Sequence, residues 1–168
     1  MPNDNLDHLR ARFTEKRVAQ HFAPWKTQDE AREYRSVALG TGAQLRQSGI
    51  LQLVAFWLSK NREAERLVLQ DLLSWLKASP VTAAICRGRD AQDRQEVGSE
   101  PQHPHEVMGP LLARTSLEIA ALEAEADAFF LWLKRLTEGF WHALPPRNRG
   151  RGEADRSDIG PETKETER

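Results

Sequence analysis

Residues 112–140, LARTSLEIAALEAEADAFFLWLKRLTEGF, decide the fold of this chain. Residues in this stretch recur alternately three and four positions apart: Leu112, Thr115, Ile119, Leu122, Ala126, Phe129, Leu133, Leu136 and Phe140. This near-heptad seam is typical of a long helix that packs against antiparallel neighbours in a bundle. The helix begins either at Gly109-Pro110, where proline suits a first helical position, or later, at a capping box of Thr115 and Glu118. Pro145-Pro146 ends it.

The most apolar stretch is Ile50 to Lys60, which leaves almost no polar face on a helix. A helix that is apolar nearly all round is usually central in a bundle. Asn61 is predicted to cap the start of the next helix, whose apolar stripe includes Leu69, Leu72 and Leu76. Ser79-Pro80 is predicted to end that helix.

The N-terminal part carries two more predicted helices. The first runs from about Asn5 to Phe22 and is stopped by Pro24, and the second begins near Thr27 or Gln28. We expect Gly40-Thr41-Gly42 to kink or break the second helix, because each glycine weakens a helix by about 1 kcal/mol relative to alanine. The helix resumes at Leu45, and Ser48-Gly49 ends it.

Two polar segments complete the chain. Residues 79–106 contain Pro80, Gly88, Gly98, Pro101 and Pro104 among charged residues, which predicts a long mobile loop. Residues 145–168 are a charged tail with too little apolar surface to order, so we expect disorder there. The predicted fold is therefore all-α: a compact bundle of about five or six helices in a single domain over 1–144.

Composition limits the class of protein. The chain has 168 residues, 39% of them hydrophobic and 29% charged, which is typical of an ordinary soluble domain. Its net charge of −1 gives no global attraction to nucleic acid or membranes, so a basic surface must come from uneven placement. A single cysteine, Cys86, cannot form an internal disulfide, and no apolar run is long enough to span a bilayer. We expect a cytoplasmic protein.

The sequence carries no GxxxxGK[ST], GxGxxG, HExxH or GxSxG motif, which counts against the common nucleotide-binding and hydrolase classes. His103 and His105, with Cys86 and Glu106, are the nearest approach to a metal site, but solvated loop histidines are the better interpretation. Glu123 and Asp127 lie one helical turn apart and could face a metal, yet a solvated acidic face accounts for them. We therefore predict no catalytic residue, metal or cofactor.

Basic and aromatic residues offer a route to nucleic acid. Arg35 and Arg46 are eleven positions apart and return to one helical face if their helix is continuous. Such cations can bind a phosphate backbone without reading sequence. Intrahelical ion pairs, such as Lys134 with Glu138, are the alternative. Of the five tryptophans, Trp57, Trp75 and Trp132 are interpreted as core residues rather than base-stacking platforms, whereas Trp25 and Trp141 lie at helix ends.

Two parts of the chain resemble the small subunit of the type III-B CRISPR effector, the Cmr complex. The first is Tyr34-Arg35-Ser36-Val37-Ala38, followed by Leu45 to Phe56 and the terminal Ser59-Lys60. The second comprises the Trp-Leu pair in Leu69 to Leu76 and the closing Trp132-Leu133-Lys134-Arg135. The resemblance covers about Leu6 to Ser79 and Pro110 to Ala143. It departs from the family at Gly40-Thr41-Gly42, where a Leu-Pro turn is frequent.

The resemblance implies a noncatalytic subunit whose copies stack into a filament beside the backbone and large subunits of the complex. That filament would brace the guide RNA and its paired target RNA, and base pairing would supply specificity. The RNA-backbone contacts that it implies are Arg35, Arg46, Lys60, Lys134 and Arg135. Lys16 and Arg17 are added on charge placement alone.

Other functions remain open at the level of sequence. The small subunit of the type III-A complex is also helical and noncatalytic. A helical adaptor that binds only protein would carry the same basic residues as ordinary surface.

Overall fold

The computed structural model describes residues 5–87 and 104–146, with only the main chain at 104 and 105. Within these ranges the chain forms six helices and no strand: α1 (Leu6–Phe22), α2 (Gln28–Lys60), α3 (Glu63–Ala78), α4 (Ala83–Arg87), α5 (Pro104–Leu112) and α6 (Ser116–Ala143). The all-α prediction with five or six helices is confirmed.

Helix α6 is the centre of the bundle and packs against α1, α2 and α3. Leu122, Ala126, Phe129 and Leu133 of the predicted seam are each at most 1% exposed. Because these residues recur at helical spacing, a single stripe of α6 supplies the apolar surface that the other helices cover. At the N-terminal end of the seam, Leu112 is an exception, since it ends α5 and is 64% exposed.

Some of the predicted helix starts are right and others are wrong. A capping box of Thr115 and Glu118 opens α6, so the later of the two predicted starts is right. The start at Gly109-Pro110 is wrong, because both residues lie inside α5. The prediction for Asn61 is also wrong: it adopts a left-handed conformation with φ 48° and ends α2, and Arg62 takes the N-cap position of α3.

The predicted break at Gly40-Thr41-Gly42 is wrong, since α2 is helical through all three residues. Thr41 is fully buried and donates a 2.6 Å hydrogen bond to the Val37 carbonyl. Ala38 and Leu45 on either side are also buried. Tertiary packing of this face offsets the roughly 1 kcal/mol that each glycine costs a helix.

The interruption of α2 is at Gly49, as Ser48-Gly49 predicted. Gly49 has φ 74° and ψ 166°, a backbone conformation that is essentially restricted to glycine. A Cβ there would also lie 2.8 Å from Oε1 of Glu123. That same carboxylate oxygen accepts a 2.9 Å hydrogen bond from the Ile50 N–H, so α6 caps the helical segment that begins after Gly49.

The chain turns back at Gly49. Before it, Arg35 contacts Glu138 and Arg46 contacts Asp127, so α2 runs antiparallel to α6. After it, Ile50 contacts Glu123 and the Trp57 ring lies 6.1 Å from that of Phe130, so this segment runs parallel to α6. The apolar stretch Ile50 to Lys60 thereby places Ile50, Leu53, Val54 and Trp57 in the core.

Parts of the predicted loop at residues 79–106 are helical. Residues 83–87 form α4 and residues 104–106 already belong to α5, so the prediction is wrong for those positions. The middle of the predicted loop and the tail from 147 onward lie outside the described residues, and the domain boundary at 144/145 stays a prediction.

Candidate nucleic-acid interface

A seam of ion pairs joins α2 to α6. Arg35 Nη2 lies 2.8 Å from Glu138 Oε1, and Arg46 Nη1 lies 2.6 Å from Asp127 Oδ1. Arg35 and Arg46 are eleven residues apart on α2, and Asp127 and Glu138 are eleven apart on α6. Because eleven residues are close to three helical turns, both pairs lie on the facing sides of the antiparallel helices.

Lys134 lies on this same seam. It is seven residues from Asp127 and four from Glu138, which puts all three on one face of α6. Lys134 is exposed, and the Arg46 side chain keeps 59% of its exposure despite its ion pair. Arg35 is more enclosed, with its guanidinium carbon 4.8 Å from the centre of the Trp141 ring. The structure thus brings together three of the predicted phosphate contacts, with a net charge of +1 once the two carboxylates are counted.

Three predicted contacts lie away from the seam. The Arg135 guanidinium carbon is 5.6 Å from the centre of the Trp132 ring, and Trp132 Nε1 donates a 2.8 Å hydrogen bond to Asp7 at the start of α1. Lys60 ends α2, with Nζ 5.1 Å from the Phe56 ring centre, and Lys16 is exposed on α1. In residues 5–87 and 104–146, no ion pair involves Lys16, Lys60, Lys134 or Arg135, so among the predicted contacts these four are not held by a carboxylate.

Arg17 is held by a buried carboxylate. Asp71 is fully buried, and it accepts hydrogen bonds from Arg17 Nε at 2.5 Å and pairs with His21 Nε2 at 2.8 Å. Burial raises the pKa of the neighbouring Tyr34 phenol well above its ordinary value; the Asp71 carboxylate adds to this and Arg17 opposes it. Since a lone buried carboxylate is costly, Arg17 has a role in joining α1 to α3.

A second buried carboxylate, Glu125, joins three helices. Arg10 on α1 donates to both of its oxygens, at 2.9 and 2.7 Å, and Trp75 Nε1 on α3 donates at 2.8 Å. Burial alone would raise the pKa of Glu125, but the hydrogen bonds from Arg10 and Trp75 outweigh it, so its pKa is lowered. The Glu125 bond in turn raises the pKa of Arg10. This network anchors α6 to α1 and α3.

The acidic residues of α6 were misjudged as a solvated face. Glu123 caps a helix segment, Asp127 and Glu138 pair with α2, and Glu138 contacts Arg35 and His142 rather than Lys134. The shared eleven-residue spacing of opposite charges on two predicted antiparallel helices was a signal that could have revealed the seam.

The described residues contain no group of three or more His, Cys, Asp or Glu side chains placed to hold a metal ion. Cys86 lies 3.5 Å from the Leu76 carbonyl oxygen, whereas His103 and the side chain of His105 lie outside the described part. Trp57 and Trp75 are core residues as predicted, each 3% exposed, and Trp132 is only half-buried. In those same residues no helix is long and apolar enough to cross a membrane.

Two of the exposed cations lie beside aromatic rings, Lys60 over Phe56 and Arg135 over Trp132. A sequence model of one protein family, described as CRISPR-associated protein (Cas_Cmr5), matches residues 6–140. The chain belongs to this family. The resemblance to the Cmr small subunit is thereby confirmed over residues 6–140, and the protein is a CRISPR subunit of the Cmr type that associates with other Cmr subunits.

The family match decides between the two CRISPR alternatives in favour of the Cmr type. No curated protein and no solved structure matches the chain. Residue roles therefore rest on the geometry of this structure.

Proposed function

We propose that this Cmr-type protein is a noncatalytic subunit that stacks into a filament and braces the guide RNA–target RNA duplex through backbone contacts. The observation that carries the proposal is the family match over residues 6–140. The structure supports it with exposed cations that have no carboxylate partner in the described part of the chain.

The cations divide into two groups by their surroundings. Lys134, Arg135, Lys60 and Lys16 are exposed and are proposed as phosphate contacts. Arg46 belongs with them. Its side chain is 59% exposed despite its ion pair, so guanidinium N–H donors are left free for a phosphate oxygen. Arg35 and Arg17 are proposed as structural residues first, since their guanidiniums lie between helices.

A noncatalytic role is supported by where the buried acids are. Glu125 and Asp71, two of the three buried carboxylates among the described residues, are each bound by an arginine and a second donor. Their hydrogen-bonding capacity is used to hold helices together.

A protein-only adaptor is the second candidate. It is favoured by the exposed leucines at the α5–α6 corner, Leu112 at 64% and Leu117 at 82% exposure, which suit contact with protein rather than RNA. A subunit that stacks into a filament also needs protein contacts, so this surface alone does not separate the two functions.

The test begins with purification of the tagged chain from its native host and sequencing of any RNA that accompanies it. Small RNAs with a shared repeat-derived 5′ end, together with larger partner proteins, are the expected result. Recovery of the protein with partners but without RNA would leave the adaptor as the function.

The residue assignments are tested next in the assembled complex. Lys134→Glu and Arg135→Glu should each weaken binding to a guide–target duplex, and each should reduce the slope of log K against log salt by about 1. Lys77→Glu, the same charge change at an exposed position on α3, is the matched control and should do neither. Equal losses in all three variants would mean that only overall charge matters.

A further inference from the structure

A small cleft lies between the two segments of α2 and the start of α3, which we call the α2–α3 cleft. It has a volume of about 250 Å³ and is bounded by Val37, Gln44, Phe56, Lys60, Arg62 and Glu65. Pockets for drug-sized ligands are typically about 300–1,000 Å³. The cleft therefore has room for a single side chain or a comparably small group.

Its unusual feature is Glu65. This residue is only 8% exposed, and its Oε2 atom is buried with no hydrogen-bond partner among the described residues. A buried carboxylate oxygen without a partner is costly, and native proteins rarely leave one so. Its place in the first turn of α3 offsets part of that cost, because helix N-termini favour negative charge.

The cations at the cleft do not satisfy Glu65. Lys60 and Arg62 are both exposed, and Lys60 Nζ lies over the Phe56 ring. They are solvated at the rim, whereas the carboxylate is the enclosed group. A second carboxylate, that of Glu33, also borders the cleft.

We propose that the α2–α3 cleft binds the guanidinium group of an arginine side chain from a protein partner, with Glu65 as the main acceptor and Phe56 as the ring beneath it. A guanidinium can donate two parallel hydrogen bonds to one carboxylate and can stack on an aromatic face. Phe56 is 43% exposed and supplies that face. The site shares Lys60 with the proposed phosphate contacts, but guanidinium binding is measured without RNA, so the site can fail while the proposed function stands.

The test titrates the full chain with N-acetyl-arginine methylamide as the probe and monitors backbone amide chemical shifts by NMR. We expect saturable shifts confined to the amides around Phe56, Trp57 and Glu65, with a Kd on the order of 1–10 mM for this minimal ligand. The citrulline analogue has the same shape without the charge, and it should bind at least about tenfold more weakly.

Two variants locate the binding. Glu65→Gln should weaken the probe at least about tenfold, whereas Glu63→Gln, an exposed neighbour on the same first turn, should leave the Kd unchanged. Glu65→Gln should also keep or raise the melting temperature, because a neutral amide costs less to bury than a carboxylate. Shifts that are absent, not saturable, or equal in the Glu65→Gln protein would overturn the proposal. A fall in melting temperature for Glu65→Gln would do so too, since it would show that water or the helix terminus already satisfies the carboxylate.

Discussion

Substitution of Gly49 by alanine should be among the most damaging single changes in this protein. The residue has φ 74° and ψ 166°, and a non-glycine residue in this region costs about 1–3 kcal/mol. The new Cβ would lie 2.8 Å from Glu123 Oε1, so the carboxylate must move. Movement weakens its bond to the Ile50 N–H, and a bond to a charged acceptor contributes about 1.5–3 kcal/mol. We expect Gly49→Ala to lower the free energy of unfolding by about 2–5 kcal/mol.

The measurement is urea denaturation followed by circular dichroism at 222 nm, with Gly40→Ala as the matched control. Gly40 is helical and a Cβ there would have no heavy atom within 4 Å, so alanine should stabilise by about 0.5–1 kcal/mol. The same substitution in one helix is thus expected to have opposite signs. Destabilisation of less than about 1 kcal/mol by Gly49→Ala would refute the argument that the turn needs glycine.

A double-mutant cycle separates backbone strain from the clash. In a Glu123→Ala background the clash and the hydrogen bond are both absent, so Gly49→Ala should cost only the backbone term of about 1–3 kcal/mol. Equal costs in both backgrounds would show that Glu123 moves aside freely and that the strain is entirely in the backbone.

Three further predictions concern charged residues. Glu125→Gln should lower the free energy of unfolding by about 3 kcal/mol at pH 7, because it leaves Arg10 with a neutral partner in a buried site. Folding lowers the pKa of Glu125 from 4.5, so its contribution to the free energy of unfolding is present above about pH 4.5 and is lost as the pH falls through the pKa of the folded state. Urea titrations at several pH values should therefore show that the stability of Glu125→Gln falls less steeply with acid than that of the unmodified protein. An unchanged acid dependence would contradict this. Arg17→Gln should lower the free energy of unfolding by about 3 kcal/mol because it leaves Asp71 short of a partner, whereas Lys16→Gln should change it by no more than about 0.5 kcal/mol. Equal melting temperatures for the two variants would remove the distinction between a structural and a surface cation. Arg46→Gln should cost less than about 1 kcal/mol, because its ion pair is largely exposed, and a loss above about 2 kcal/mol in urea would make the pair a main contact of the fold.

Local patterns in the sequence were enough for the helices and much of the core. The three-and-four spacing along α6 identified Leu122, Phe129 and Leu133 as buried, because a helix exposes one stripe to its neighbours whatever the rest of the fold. The Thr115–Glu118 capping box and the end at Ser48-Gly49 are also local, since each depends on the conformation of a few consecutive residues.

Tertiary structure decided what those elements do to one another. Gly40-Thr41-Gly42 stays helical because the buried face around Thr41 contributes more than two glycines cost, and no local rule contains that term. The reversal at Gly49 and its cap by Glu123 join residues 73 positions apart. The acidic residues of α6 are partners of α2 rather than a solvated face, because the fold places the two helices side by side.

The same limit applies to the site. The sequence by itself determined an all-helical chain of the Cmr type, because family patterns and helical periodicity are written in residue order. Which cations are available was decided by folding: Arg17 lies on a buried carboxylate from α3, whereas its neighbour Lys16 faces solvent. Adjacent residues on a helix point about 100° apart, and the electrostatic energy of each depends on what the fold places opposite it.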